Sequence, residues 1–275
     1  MPELPEVETV RRALQETVVG KTIQNVEVFY PRILRNLSTE HIFRLLVSGQ
    51  LIRKIGRKGK YLIFYMDSVT LISHLRMEGK YIYSEKPYTQ YDKHVHVIFH
   101  FTDGTKLLYH DVRKFGTMDV VARGNENQIK GFNSLGQEPI AADFSIELFT
   151  EQVQSRKEAI KQILLNQEII CGLGNIYVDE SLAISKLHPI RTGDSLSESE
   201  IKLLVENIQE LLLKAIELGG SSVKSFESAH GKGSMQEHLI VYGKKDQPCS
   251  FCGTAIEKIK VGGRGTHFCP NCQQL

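Results

Sequence analysis

The first three residues, Met1-Pro2-Glu3, place a proline nitrogen beside a carboxylic acid. A small residue such as proline after an initiator methionine lets that methionine be removed, so the mature chain is expected to begin at Pro2. A free secondary amine attacks an aldehyde-like sugar carbon and forms an iminium. The iminium has no proton to lose and acts as an electron sink, which is the covalent logic of Schiff-base catalysis. An α-amine titrates near ~8, so an unprotonated fraction exists at neutral pH. The same residues also suit a helix start, where Glu3, Glu6 and Glu8 meet the positive end of the dipole. The pair therefore needs support from the rest of the chain.

Four of the five cysteines form Cys249-x-x-Cys252 and Cys269-x-x-Cys272, with sixteen residues between the pairs. This is metal-ligand spacing. Four thiolates fill a tetrahedral shell and leave no position for water, so one structural Zn2+ is expected. Two disulfides are the alternative, and a cytosolic address disfavours them. Between the pairs, two extended arms meet at a glycine-rich tip, Gly262-Gly263-Arg264-Gly265. An arginine offered this way suits an anionic partner. Another basic run, Arg53-Lys54-Ile55-Gly56-Arg57-Lys58-Gly59-Lys60, reads either as a solvated strand edge or as a tight turn presenting lysine to a phosphate.

The elements that must position these groups follow from periodicity. Val7, Val10, Leu14 and Val18 form one apolar stripe, predicting a helix over residues 2–20. Strands are expected at 22–30, 51–55, 61–65, 71–75, 95–101 and 106–110, with a short helix at 41–47. Asp103-Gly104 signals a hairpin. The pattern implies a β-sandwich or flattened barrel. Gly, Asn, Gln and Pro concentrate at 123–139, where a linker is placed. Helices are then expected at 146–153, 157–166, 176–185 and 198–218, the last with a Ser197/Glu200 capping box. Cys171-Gly172-Leu173-Gly174-Asn175 follows a helix, so it reads as a turn with Asn175 as N-cap, whose amides suit a phosphate. Residues 221–238 read as a long loop.

The expected architecture is α+β with two domains: an N-terminal β-sandwich with an N-terminal helix, then a helical, zinc-bearing part. The expected boundaries are 1–131, 132–240 and 241–275. The chain of 275 residues is long enough for two cores. Net charge is only +2, so bulk basicity does not argue for nucleic acid and local clusters must. An acidic start and the lack of a long apolar run point to a soluble, cytoplasmic protein.

Taken together, the chain resembles the formamidopyrimidine-DNA glycosylase family of bacterial repair enzymes over its whole length. The resemblance rests on residues 1–9 (MPELPEVET), Gly59-Lys60-Tyr61-Leu62, residues 73–79 (SHLRMEG), Asp111-Val112-Arg113-Lys114-Phe115-Gly116, residues 172–177 (GLGNIY) and the hairpin end Gly263-Arg264-Gly265-Thr266. It implies a helix–two-turn–helix domain and a four-cysteine zinc finger after the sandwich, with Cys249, Cys252, Cys269 and Cys272 as the ligands. It implies that Pro2 attacks the deoxyribose C1′, that Glu3 moves protons, and that Lys60 and Arg264 serve the two eliminations that cut the strand. It implies DNA contacts by His74, His94, Arg113, Arg156, Lys161, Asn175 and Tyr242. Met77, Arg113 and Phe115 would fill the gap left by the extruded base. The partner implied is damaged double-stranded DNA, in a cleft between the domains, with a monomeric protein located at the nucleoid. Leu4 sides with the purine-lesion branch, since the endonuclease VIII group carries glycine there. Lys58 stands where many relatives carry arginine, and Lys224-Ser225-Phe226 departs from the commoner pattern near the lesion loop. The rival readings are a non-catalytic DNA-binding zinc protein and an endonuclease VIII activity on oxidised pyrimidines.

Overall fold

The computed structural model describes residues 1–85, 92–221 and 233–275. It divides into two compact units. The first is Met1–Asn133 with the described residues Gly219–Ser221 and Gly233; the second is Ser134–Leu218 with Ser234–Leu275. The fold is α+β, with β-sheets in the first unit and helices and a cysteine-bearing hairpin in the second.

The first unit opens with helix α1 (Leu4–Val18), followed by β1 (Ile23–Val28), α2 (Glu40–Val47), β2 (Ile52–Lys58), β3 (Tyr61–Met66), β4 (Val69–His74), β5 (Lys80–Ser84), β6 (Val95–Phe101), β7 (Lys106–His110), β8 (Thr117–Ala122) and the single-turn α3 (Lys130–Asn133). The strands make two four-stranded antiparallel sheets, ordered β1-β6-β7-β5 and β2-β3-β4-β8. One core joins them: Val97, Phe99 and Tyr109 from one sheet, Leu62, Phe64 and Leu71 from the other, and Val7, Val10 and Leu14 from α1. The apolar stripe of α1 is thus the reason the chain's start is fixed to the sandwich. Asp103-Gly104 does turn β6 into β7, with Gly104 at φ +85°.

Chain direction between the sheets matters for the site. The β4–β5 and β7–β8 connections each leave one sheet and enter the other. They lie at the same end, because Lys80 pairs with His110 and His74 with Thr117.

The second unit contains α4 (Ile146–Gln154), α5 (Ile160–Leu165), α6 (Asn175–Ile184), α7 (Glu198–Glu217), a 3-10 turn at Met235–His238, and the hairpin β9 (Glu257–Val261) and β10 (Arg264–Phe268). Ser197 and Glu200 cap α7 reciprocally, as expected. Helix α5 is shorter than its apolar pattern suggested, because residues 156–159 bend to meet the Thr192 and Gly193 backbone. No helix among the described residues is long and apolar enough to cross a membrane.

Candidate active site and DNA interface

Pro2 and Glu3 are buried at the start of α1, whereas Met1 is 47% exposed. Glu3 is the N-cap, and Glu3 and Glu6 form a capping box in which the Glu3 amide donates to Glu6 Oε2 at 2.8 Å. Glu6 is buried and reaches further. Its Oε1 accepts the Ser221 amide at 2.8 Å and the Ser221 hydroxyl at 3.2 Å. Gly220 must be glycine there, since its φ is +83° and a methyl group would meet Glu6 Oε1 at 2.7 Å. The acidic first turn therefore serves both the helix and the stretch of chain that precedes residue 222.

Lys60 lies in the two-residue turn between β2 and β3, with Gly59 at φ +55°. The basic run is mostly strand, and only Gly59-Lys60 form the turn. Lys60 is buried rather than held out to solvent. Its position is set from α1: Glu8 accepts from Arg57 Nε at 3.0 Å, and the same guanidinium donates to the Gly59 carbonyl at 3.1 Å. Burial pushes the Glu8 carboxyl up, but hydrogen bonds from Arg11 and Arg57 outweigh it and hold the group below its ordinary range. Glu8 therefore stays an anion and keeps Arg57 in place.

His74 ends β4 near Lys60. Burial chiefly, then the positive charges of Arg76 and Lys60, depress its pKa to about 3. It is neutral at physiological pH, and Nδ1 accepts the Arg76 amide at 2.9 Å, leaving the proton on Nε2. Its ring meets Tyr61 edge to face at 4.5 Å.

The two inter-sheet connections carry exposed side chains. Met77 is 39% and Phe115 48% exposed, although both residue types usually pack in a core. Arg113 lies with its guanidinium 4.7 Å from the Phe115 ring centroid. Asp111 builds this loop: buried, it accepts the amides of Arg113, Phe115 and Gly116 at 3.0, 2.9 and 2.8 Å. His94 is half-buried, with its ring 5.6 Å from that of His110.

In the second unit, the hairpin turns at Gly262-Gly263, both at positive φ, and pairs Arg264 with Val261. Arg264 is exposed at the start of β10. Asn175 is the first residue of α6, not its cap; Gly174 takes the N-cap position. The Asn175 side chain instead donates to the Gly265 carbonyl at 2.9 Å. The same carbonyl receives Lys161 Nζ at 3.2 Å, and Lys161 pairs with Asp179 at 2.6 Å. Both charged side chains are 0% exposed. The ammonium of Lys161, expected from the resemblance to contact DNA, is committed here to Asp179 and the Gly265 carbonyl inside the protein. Asp179 Oδ2 also accepts the His267 amide at 2.9 Å. Two helices, α5 and α6, thus grip the residues that follow Arg264.

Glu180 likewise accepts three successive amides, from Ile240, Val241 and Tyr242, at 2.6, 2.9 and 2.7 Å. Tyr242 is half-buried, with its ring 5.2 Å from His267. Arg156 is half-buried and donates to the Gln152 carbonyl at 2.6 Å. Asp111, Asp179, Glu180 and Gln167 escaped sequence reasoning. Gln167 ties the Gly172 amide and the Leu173 carbonyl at 3.0 and 2.9 Å, shaping the turn before α6. Asp179 and Glu180 lie inside α6, where a carboxylate gives no local sign that it will be buried against a distant backbone, whereas Asp111 and Gln167 sit in loops and shape backbone two to six residues ahead. The 222–232 part of the expected lesion loop, including Lys224-Ser225-Phe226, lies outside the described residues.

The sulfur atoms of Cys249, Cys252, Cys269 and Cys272 all lie within 4.8 Å of one another. Cys249–Cys272 is 4.0 Å and Cys252–Cys269 is 3.5 Å. A tetrahedral centre of one zinc and four thiolates, with bonds of about 2.3 Å, has sulfur edges of about 3.8 Å. The donor set fits one structural zinc ion.

Three family models match in chain order. The formamidopyrimidine-DNA glycosylase N-terminal domain matches residues 1–118, the H2TH domain of the same enzymes residues 135–227, and a zinc finger found in FPG and IleRS residues 246–275. The chain belongs to the formamidopyrimidine-DNA glycosylase family. It is thereby an enzyme of the bifunctional DNA glycosylase and abasic-site lyase class, with one structural zinc. Among curated relatives, the formamidopyrimidine-DNA glycosylase of Shouchella clausii is 50% identical over 275 residues, covering 99% of each chain. That of Halalkalibacterium halodurans is 48% identical over 276 residues, covering 100% of each. Among solved structures, a Lactococcus lactis Fpg variant in complex with Fapy-dG-containing DNA is 46% identical, with TM-score 0.92 and full coverage of both chains. The Lactococcus lactis Fpg with abasic-site DNA gives 0.91, covering 99% of this chain and 100% of that one.

Proposed function

We propose that this protein removes oxidised purines, such as 8-oxoguanine and formamidopyrimidines, from duplex DNA and then cuts the strand at the abasic site by β,δ-elimination. The carrying observation is the placement of Pro2 and Glu3: buried, at a capped helix start, behind an exposed Met1 that an aminopeptidase can reach. With Met1 attached, the Pro2 nitrogen is a tertiary amide and no nucleophile. Once Met1 is gone, that nitrogen bonds to C1′ as the glycosidic bond breaks and the base leaves. Glu3 moves the proton during ring opening, a general acid/base role. The resulting iminium withdraws electrons, so a C2′ proton is lost and the 3′ phosphate departs. A second elimination releases the 5′ phosphate. Lys60 supplies a proton and a phosphate contact in the first. Arg264 clamps phosphate in the second; as an acid it is poor, since its pKa exceeds ~12.

His74, His94, Arg113, Arg156, Asn175 and Tyr242 are the proposed DNA contacts, and Lys161 acts by holding the Arg264 hairpin. Met77, Arg113 and Phe115 fill the gap left by the extruded base. Their exposure supports this, because solvent-facing Met and Phe at two neighbouring loops need a partner. The working location is the chromosome in the cytoplasm, as a monomer. The deciding experiment compares cleavage of 8-oxoguanine opposite cytosine with cleavage of thymine glycol. Preference for the purine lesion supports the proposal, and preference for the pyrimidine overturns it.

A further inference from the structure

Tyr109 is fully buried at the top of β7, beneath both inter-sheet connections. Its ring packs on Tyr81 with centroids 5.2 Å apart. Its hydroxyl has no hydrogen-bond partner among the described residues. A buried hydroxyl without a partner is costly, and phenylalanine would avoid the cost. The oxygen instead occupies a place that two glycines leave open. A methyl group at Gly79 would stand 2.2 Å from the Tyr109 hydroxyl and 2.6 Å from the Leu75 carbonyl. A methyl group at Gly116 would stand 1.6 Å from that hydroxyl and 2.7 Å from the ring carbon bearing it. Gly79 closes the loop carrying Met77, and Gly116 closes the loop carrying Arg113 and Phe115. Each loop also holds one non-glycine residue at positive φ, Arg76 at 54° and Lys114 at 57°. Such turns keep one shape only when their surroundings enforce it.

We propose that Tyr109 is a positioning residue that locks the two loops together, so that Met77, Arg113 and Phe115 enter the duplex as one rigid wedge. The inference rests on the functional reading above. The tyrosine oxygen stands in contact distance of both glycines, and removing it frees about one heavy-atom diameter between the loops. A rigid wedge matters when a stacked base must be pushed out. It matters less when the base is already missing.

The test is Tyr109→Phe, which keeps the ring and deletes the oxygen. The variant is expected to melt no lower than wild type. Single-turnover excision of 8-oxoguanine from duplex should slow by about tenfold, as small misplacements of positioning groups do. Cleavage at a preformed abasic site should stay within about twofold of wild type. A double-mutant cycle between Met77→Ala and Phe115→Ala, read on excision, should be non-additive in wild type and additive in the Tyr109→Phe background. Equal losses on both substrates would mark a merely structural role and overturn the inference, as would unchanged excision. If wild type itself acts on neither substrate, the functional reading fails first.

Discussion

Replacing Asp179 by Asn probes how firmly the Arg264 hairpin is held. The change keeps size and shape but leaves the Lys161 ammonium, 0% exposed, without its counter-charge at 2.6 Å. It also weakens the acceptor of the His267 amide in β10. Breaking a buried ion pair by removing one partner costs about 3–5 kcal/mol. For a unit of this size, roughly 3–5 °C accompanies each kcal/mol, so the transition of the second unit should fall by about 9–25 °C. Lys161, held by Asp179, donates to the Gly265 carbonyl next to Arg264. Chelator-driven zinc release should therefore quicken, and the second elimination should slow more than the first. Calorimetry, a chromogenic zinc assay and gel separation of the β and δ products read these three effects. Pairing Lys161→Met with Asp179→Leu should recover much of the lost stability, because no charge is left buried. A single variant that melts within about 2 °C of wild type and keeps its zinc would refute the reasoning.

Other perturbations separate the remaining parts. Arg57→Ala removes the link from Glu8 to the Gly59 carbonyl; β-elimination should fall by about tenfold while duplex affinity changes little, measured on abasic-site DNA. His74 has its pKa lowered to about 3 by burial, Arg76 and Lys60. Unfolded histidine binds a proton near ~6.5, so the unfolded state takes up more protons between about 6.5 and 3, and stability falls as pH falls through that window. His74→Gln should flatten that part of the stability profile in denaturant titrations. Cys249→Ser should lose zinc by elemental analysis and weaken duplex binding by about tenfold or more, since a structural zinc site contributes folding energy directly.

Much of the fold was legible because its signals are local. The stripe of α1, the Asp103-Gly104 turn, the Ser197/Glu200 box and the cysteine spacing each follow from neighbours in sequence. Strands β5 and β8 were less so. β5 follows the Gly79 loop with only five residues, and β8 carries Asp119 mid-strand. The proposed site residues Pro2, Lys60 and Arg264 stand out in the sequence because they sit at chain turns or the terminus. What holds them was not: Arg57 on Gly59, Asp111 under the Phe115 loop, and Asp179 on Lys161 are contacts across 2, 4 and 18 residues whose burial no local pattern reports. Lys161 shows the limit most clearly. The resemblance sets it against DNA, and tertiary packing places it as an internal strut between Asp179 and the Gly265 carbonyl.

The central claim is that the Pro2 nitrogen bonds to the sugar. Borohydride reduction during turnover of an 8-oxoguanine duplex, followed by proteolysis and mass mapping of the adduct, tests it directly. The expected result is a deoxyribose remnant on the N-terminal peptide, at Pro2, in protein lacking Met1. An adduct on Lys60 or another lysine, or full activity in protein that retains Met1, would contradict it.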